Sequence, residues 1–450
     1  MPTAWGLANR LPAGGGGGGG EATFYLALGA TLGISTYLLA STLLGSSSSP
    51  TLAPAGRTST AIPSPLKTQI PALPSTSISS LPYPPDVLPG GRTVATPYGT
   101  IQVFEWGPLH GEKVLLLHGI STPCVALGAL AEALVERGGY RVMVFDLFGR
   151  GYSDAPPDLP YDLRLYTTQI LLALASSPLA WTGAASASGQ EGDREGEGGF
   201  HLVGYSLGGG LAVPFARFFA RMLRSVVVVA GGGLIREEHV GWRSRALYST
   251  TTARWVPEGL VRWFVKRRLM PRTEEGGAAV AATETEMAKE VVGVATGPHK
   301  NSDASGGQSF DNAVLLARRP EHTVSSVMDW QLRHHEGFIP AFISSIRHAP
   351  IYDQKDDWRA LGQLLAERRE RLGWEDAAGE VPGLEGGKIL IVLGASDPVI
   401  VKEELIHDAT AVLGEDGFEA VVLDAGHELV MTKANEVAAV MINFWARTTR

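Results

Sequence analysis

Between residues 100 and 423 the chain alternates short apolar runs with helix-patterned stretches, and this alternation restricts the fold more than any other feature. Strand-like runs occupy 100–106, 113–118, 141–146, 200–205, 225–230, 388–394 and 419–423. Helical periodicity falls at 127–137, 163–175, 207–223, 330–347, 402–413 and 435–446. Near-continuous apolar runs belong to strands buried on both faces, so the pattern predicts an α/β fold with a mostly parallel sheet and helices on both sides.

With 450 residues, 44% of them hydrophobic, the chain is able to bury a large core, and disorder throughout is excluded. The formal charge of −8 gives no global basic field, so nucleic acid is not an expected partner. A single cysteine, Cys124, rules out an intramolecular disulfide and a Cys-rich zinc site. His334 and His335 are adjacent and would point apart on a helix, with no thiol or carboxylate cluster nearby, so no metal is expected. No cofactor motif stands out either. The Gly149-Arg150-Gly151 turn lacks a third glycine opening a helix, and no Gly-Lys-Ser/Thr follows any glycine-rich loop.

The organisation read from the sequence is an anchor, a tether and a catalytic part. Residues 1–23 read as a disordered tail, and residues 24–44 form an uncharged run. As a helix that run would be about 31 Å long, matching a hydrocarbon core of roughly 30 Å, so it predicts one transmembrane helix. It is longer than a leader's usual apolar region of about 7 to 15 residues. The expectation is a single-pass membrane protein, and the absence of any Asn-x-Ser/Thr acceptor fits a catalytic part in the cytosol. Residues 45–92 are dominated by Ser, Thr and Pro without apolar periodicity and read as a disordered linker. Two further low-complexity stretches, 182–199 and 273–307, read as mobile insertions.

Gly204-Tyr205-Ser206-Leu207-Gly208 fits G-x-S-x-G directly between an apolar strand and an apolar helix, the context in which a serine is presented on a sharp turn. The helix N-terminus beyond it offers free N–H groups to a developing negative charge. A serine nucleophile needs a base held by a carboxylate. Asp397 follows the run ending at Gly394, and His427 follows the run ending at Leu423, so both leave carboxyl ends of strands, where α/β folds place their sites. Asp424 is the rival acid, awkwardly placed in the short turn carrying His427. The Leu117-His118-Gly119-Ile120 run ends an earlier strand, and the backbone N–H groups of Ile120 and Leu207 are the expected oxyanion donors. His118 itself reads as a residue that stabilises its loop.

Together HG-x, D-x-x-G-x-G-x-S at Asp146–Ser153, G-x-S-x-G, then Asp and then His resemble the α/β-hydrolase fold superfamily, in its esterase and lipase-like serine hydrolase branch. The resemblance spans about residues 93 to 450. It implies Ser206 as nucleophile, Asp397 as acid, His427 as base and Ile120 and Leu207 as oxyanion donors. It also implies a core at 93–233 and 325–450, interrupted by a helical cap at 234–324 that holds the mobile insert 273–307. Ser206 stands where dehalogenases and epoxide hydrolases of this superfamily carry aspartate, which argues against both. Gly-Tyr-Ser-Leu-Gly also departs from the Gly-His-Ser-Met-Gly of monoacylglycerol lipases.

The expected function is a membrane-anchored serine hydrolase that cleaves small-molecule or lipid carboxylic esters through an acyl-enzyme. The same triad could serve a carbon–carbon bond hydrolase or an acyltransferase, and a non-catalytic binding protein on this fold is the reading from another class. Residues 236–272 carry nine Lys or Arg against three Glu, interleaved with aromatic residues. That mixture suits either a lipid interface or a cap helix with aromatics on its core face and a solvated basic face.

Overall fold

The computed structural model describes residues 61–182, 199–239, 248–249, 257–269, 272–273, 279–280, 306–372 and 383–449. Strands β1 (Gly91–Thr96), β2 (Gly99–Trp106), β3 (Lys113–Leu117), β4 (Arg141–Phe145), β5 (Phe200–Tyr205), β6 (Leu223–Val229), β7 (Ile389–Gly394) and β8 (Phe418–Leu423) form one sheet. Its order is β1-β2-β4-β3-β5-β6-β7-β8. Only β2 runs against its neighbours, pairing antiparallel with β1 and β4, and every other neighbouring pair is parallel. β5 and β7 are buried at every residue, which a strand can be only when both faces of the sheet are covered.

The longer helices are α1 (Gly128–Gly138), α2 (Leu163–Ala175), α3 (Leu207–Phe219), α4 (Glu258–Leu269), α5 (Gly306–Asp311), α6 (Val324–His334), α7 (Phe338–His348), α8 (Lys355–Leu372), α9 (Lys402–Leu413) and α10 (Ala434–Thr448). α1 packs on α10, while α3 packs on α2 and α8, and α8 also packs on α9. Local chemistry sets several ends. Asp162 caps α2 by accepting from the N–H groups of Arg164 and Leu165, and Thr323 and Ser326 close a reciprocal capping box on α6. Gly139 takes the left-handed conformation that ends α1.

The parallel α/β architecture and all seven sequence-read strands are present, and β1 is an additional edge strand. Its alternation of exposed and half-buried positions gives it no continuous apolar run to detect. The helix read as 330–347 is two helices. It breaks at His335–Gly337, where the His335 ring accepts from the Gly337 N–H at Nδ1 and donates from Nε2 to Ser153 O at 2.9 Å. A Cβ on Gly337 would lie 2.4 Å from Ala155 Cβ, so the chain can pass only as glycine. The charged stretch after residue 352 holds α8, which buries Trp358, Leu361 and Leu365 on one face.

Gln331 of α6 and Ser345 of α7 bond to loops at the carboxyl ends of the strands. On α4 the buried stripe is Val261, Val265 and Leu269, while Trp263 and Phe264 are exposed, so these aromatics do not lie on the core face. Much of 182–199 and 273–307 lies outside the described residues.

Two expectations about the N-terminal region are corrected. Residues 61–90 are not a free tether, because Tyr83 is fully buried and donates to Asp146 Oδ2 at 3.0 Å, its ring 4.8 Å from that of Tyr152. Ser64 N–H donates to Asp154 Oδ1 at 2.9 Å, and Lys67 pairs with the same carboxylate. A Pro-rich chain with isolated apolar anchors has no period to read, yet each anchor finds its own slot. The single-pass membrane location is the second correction. Among the described residues no helix is long and apolar enough to cross a membrane, and the tail 1–23 and the run 24–44 lie outside those residues. Apolar length is a necessary property of a span and does not by itself place a segment in a bilayer.

Asp146 underlies this N-terminal strap and yields a test. Burial pushes its carboxyl up from the ordinary 3.8 to about 6, against the N–H donors of Tyr152 and Cys124 and the Tyr83 hydroxyl, which favour the ionised form. A carboxyl raised on folding stabilises the fold below the unfolded value and loses that contribution as pH rises through the folded one. Over the whole window, from well below 3.8 to well above 6, its share falls by about 3 kcal/mol. Asp146→Asn, which cannot ionise, should therefore gain on the wild type in melting temperature as pH rises from 4 to 7. A pH-independent difference would contradict this placement of Asp146.

Candidate active site

The sharpest backbone feature lies at the end of β5. Ser206 has φ +53° and ψ −118°, a region L-residues rarely enter, and it links the central strand directly to α3. The turn is closed on all sides. Ser206 N–H donates to Val229 O at 3.1 Å, and its carbonyl accepts from the N–H groups of Gly209 and Gly232 at 2.9 Å. A Cβ on Gly204 would sit 2.2 Å from Gly208 O, and one on Gly208 would sit 2.2 Å from Leu117 O, which explains the glycine two positions either side.

From this turn the Ser206 Oγ lies 3.0 Å from His427 Nε2, and His427 Nδ1 lies 2.8 Å from Asp397 Oδ2. An ionised carboxylate only accepts, so Nδ1 carries the proton and Nε2 is left to accept from the serine hydroxyl. The carboxylate is itself fixed. Its other oxygen accepts from the N–H groups of Val399 and Ile400 at 2.8 and 2.9 Å, so Asp397 caps its own turn and holds the histidine at once. Asp424, the rival acid, is exposed. Both ring and carboxylate are nearly closed to solvent, with side-chain exposures of 4% and 1%.

The loop carrying His427 has supports that the sequence did not reveal. Tyr205, next to the serine, donates from its hydroxyl to His427 O at 2.9 Å, and its ring centroid lies 5.2 Å from the imidazole. Phe310 of α5 faces the same imidazole at 6.0 Å. Glu428 Oε1 accepts from Gly426 N–H and from Ser309 Oγ, each at 3.1 Å, tying the loop to α5. Glu428 directly follows the histidine in sequence, but nothing in the sequence pairs it with Ser309, 119 residues away.

The two amides expected as oxyanion donors flank the serine. Leu207 opens α3, where the first N–H groups have no intrahelical acceptor. Ile120 follows Gly119, which is pressed on the serine so closely that a Cβ there would be 3.2 Å from Ser206 Cβ. His118 stabilises this loop. Its Nε2 accepts from Leu147 N–H at 2.8 Å, so Nδ1 carries the proton and donates to Gly119 O at 2.7 Å. Burial, reinforced by the nearby Arg150 charge, lowers its pKa to about 3, so the ring stays neutral. No cluster of His, Cys, Asp and Glu able to hold a metal occurs among the described residues.

Residues 114–276 match the model of the alpha/beta hydrolase family, and the eight-stranded sheet with its single antiparallel internal strand has the corresponding topology. The fold is the α/β-hydrolase fold, and the matched residues resemble that family. Among curated relatives, the chain is 27% identical over 143 residues to a serine hydrolase-like protein of Danio rerio, covering 32% of its own length and 38% of that protein. It is 25% identical over 162 residues to an uncharacterized protein of Mycobacterium bovis, covering 36% and 41%. The match thus spans about two fifths of the length of these relatives. Among solved structures it resembles a putative lipase from Acinetobacter baumannii AYE, with TM-score 0.45 and 15% identity over 80% of this chain and 91% of that one. A thermophilic esterase from Thermogutta terrifontis is similar with TM-score 0.47 and 16% identity over 80% and 99%.

The strained turn can be tested without any substrate. Ser206→Gly relieves the positive φ, at an expense in unfolded-state entropy, whereas Ser206→Ala keeps the strain. The glycine variant should be the more stable by about 1 kcal/mol in urea unfolding. An alanine variant of equal or greater stability would show that the turn stores no strain.

Proposed function

We propose that the protein is a serine hydrolase that cleaves carboxylic esters of small molecules or lipids through an acyl-enzyme. The observation that carries this reading is the relay of 3.0 Å from Ser206 Oγ to His427 Nε2 and 2.8 Å from His427 Nδ1 to Asp397 Oδ2. As Ser206 Oγ attacks the ester carbonyl carbon, His427 Nε2 takes its proton, and Asp397 stabilises the imidazolium that forms. The carbonyl oxygen gains the electron pair and is held by the Ile120 and Leu207 N–H groups. His427 then protonates the departing alkoxide, leaving the acyl group on Ser206. Water, deprotonated by His427, attacks that acyl-enzyme, releases the acid and restores the serine. The neutral His118 acts only on its own loop, since the Nε2 that would have to take a proton is already bonded to Leu147 N–H.

A fluorophosphonate probe should label the wild-type protein. Ser206→Ala should abolish both labelling and hydrolysis of a p-nitrophenyl ester while circular dichroism shows an intact fold, because loss of the nucleophile removes the whole unit's contribution. Hydrolysis retained in a clean preparation would refute the serine mechanism.

The acid is tested separately. Asp397→Asn should lower turnover by about 10⁴-fold through the wrong imidazole tautomer. Asp424→Asn should change it little. A reversed order would assign the acid to Asp424.

A further inference from the structure

Outside the triad, the buried group least accounted for is the Arg150 guanidinium. It is 0% exposed, and its bonds among the described residues all go to neutral acceptors. Nε donates to Ile120 O at 3.0 Å, Nη1 to Phe148 O at 2.9 Å and to Tyr166 Oη at 3.1 Å, and Nη2 to Ser345 Oγ at 2.8 Å. The Tyr161 ring lies 5.8 Å from the guanidinium carbon. Removing a cation from water without an anion beside it is costly, and a site that keeps such a charge has a use for it.

The use is indicated by what the guanidinium holds. Three successive carbonyls of the loop after β3 are each taken by a buried side-chain donor. Gly119 O accepts from His118 Nδ1 at 2.7 Å, Ile120 O from Arg150 Nε at 3.0 Å, and Ser121 O from Gln331 Nε2 at 3.0 Å. In a trans peptide the C=O and the following N–H point in opposite directions. Fixing Gly119 O on the His118 ring therefore turns the Ile120 N–H the other way, and fixing Ile120 O and Ser121 O locks the next two peptide planes. Gln331 also accepts from Gly151 N–H at 2.8 Å, so its amide cannot rotate freely.

We propose that Arg150 and Gln331 are positioning residues for the oxyanion hole, holding the Ile120 and Ser121 carbonyls so that the loop presenting the Ile120 N–H keeps its shape, with the Arg150 charge, which makes no ion pair among the described residues, favouring the anion that forms there. The inference rests on the ester-hydrolase reading above and adds a role for two residues that touch neither substrate nor triad. It also gives the helices between β6 and β7 a part in the chemistry. Gln331 lies on α6 and Ser345 on α7, so these helices complete the loop that donates to the oxyanion.

The test uses the full chain and two readouts, kcat and KM on p-nitrophenyl butyrate and the affinity of an alkyl trifluoromethyl ketone. The ketone reads the oxyanion hole directly. Ser206 Oγ bonds to the ketone carbon, the C=O π pair moves onto oxygen as the oxyanion, and the serine proton passes to His427 Nε2. Arg150→Met should lower kcat by about 100-fold and weaken the ketone in proportion, with KM within about threefold. Arg150→Lys, which keeps the charge but not the fork, should fall between, and Gln331→Leu should lower both readouts by about tenfold. The pH at half-maximal activity should not move, because His427 and Asp397 are untouched.

The proposal is overturned if folded Arg150→Met and Gln331→Leu match the wild type in kcat and ketone affinity. A rise in KM alone, or a shifted pH profile, overturns it equally, since these report substrate contact or an effect on His427. Should Arg150→Met fail to fold, Arg150→Lys and Gln331→Leu decide by the same readouts. A wild-type protein that ignores a fluorophosphonate fails at the hydrolase reading beneath and takes the positioning role with it.

Discussion

The site depends on one residue held in an unfavourable backbone conformation. Ser206 at φ +53° reverses the chain between the most central strand and α3, and in doing so lifts its side chain away from the sheet. The surroundings over-determine the turn. Its N–H and carbonyl are bonded to β6 and to the glycines that follow, and the flanking Gly204 and Gly208 allow backbone to approach where any side chain would collide. Strain of this kind persists only where the neighbouring structure leaves the chain no alternative.

Around that turn the carboxyl ends of the strands carry a web of buried polar groups rather than an apolar lid. Asp146 after β4 collects the N–H groups of Cys124 and Tyr152 and the Tyr83 hydroxyl, and the His118 ring links Leu147 to Gly119. Arg150 joins the loop after β3 to α2 and α7. Each member is satisfied by neighbours distant in sequence, so the loops near Ser206 are rigid for reasons unrelated to their own propensities. The residues before β1 serve the same end, since Tyr83 reaches into this web from outside the sheet.

The sequence makes some of this legible and hides the rest for identifiable reasons. Strands β3 to β7 announce themselves because burial on both faces demands continuous apolar runs, and β8, an edge strand of half-buried and exposed positions, is legible because its sequence stays mostly apolar. β1 does not, because an edge strand needs only half of its side chains to be apolar. The split between α6 and α7 is hidden because apolar periodicity continues across it, and only the contact of Gly337 with Ala155 shows why the helix must end. Residues 61–90 carry the composition of a linker, and composition cannot register that Tyr83 and Ser64 each have a partner prepared for them.

By itself the sequence determined the α/β class, the strand that presents Ser206, and the strand ends that carry Asp397 and His427, because these follow from local pattern and from glycines that only a close approach of backbone requires. Tertiary structure alone decided that Tyr205 and Glu428 support the loop of His427. It alone brought Arg150 and Gln331 onto consecutive carbonyls beside Ser206. Those contacts join residues up to about two hundred positions apart, and which distant donor reaches which carbonyl is set by how the helices between β6 and β7 lie over the sheet, a property that no local stretch of sequence encodes.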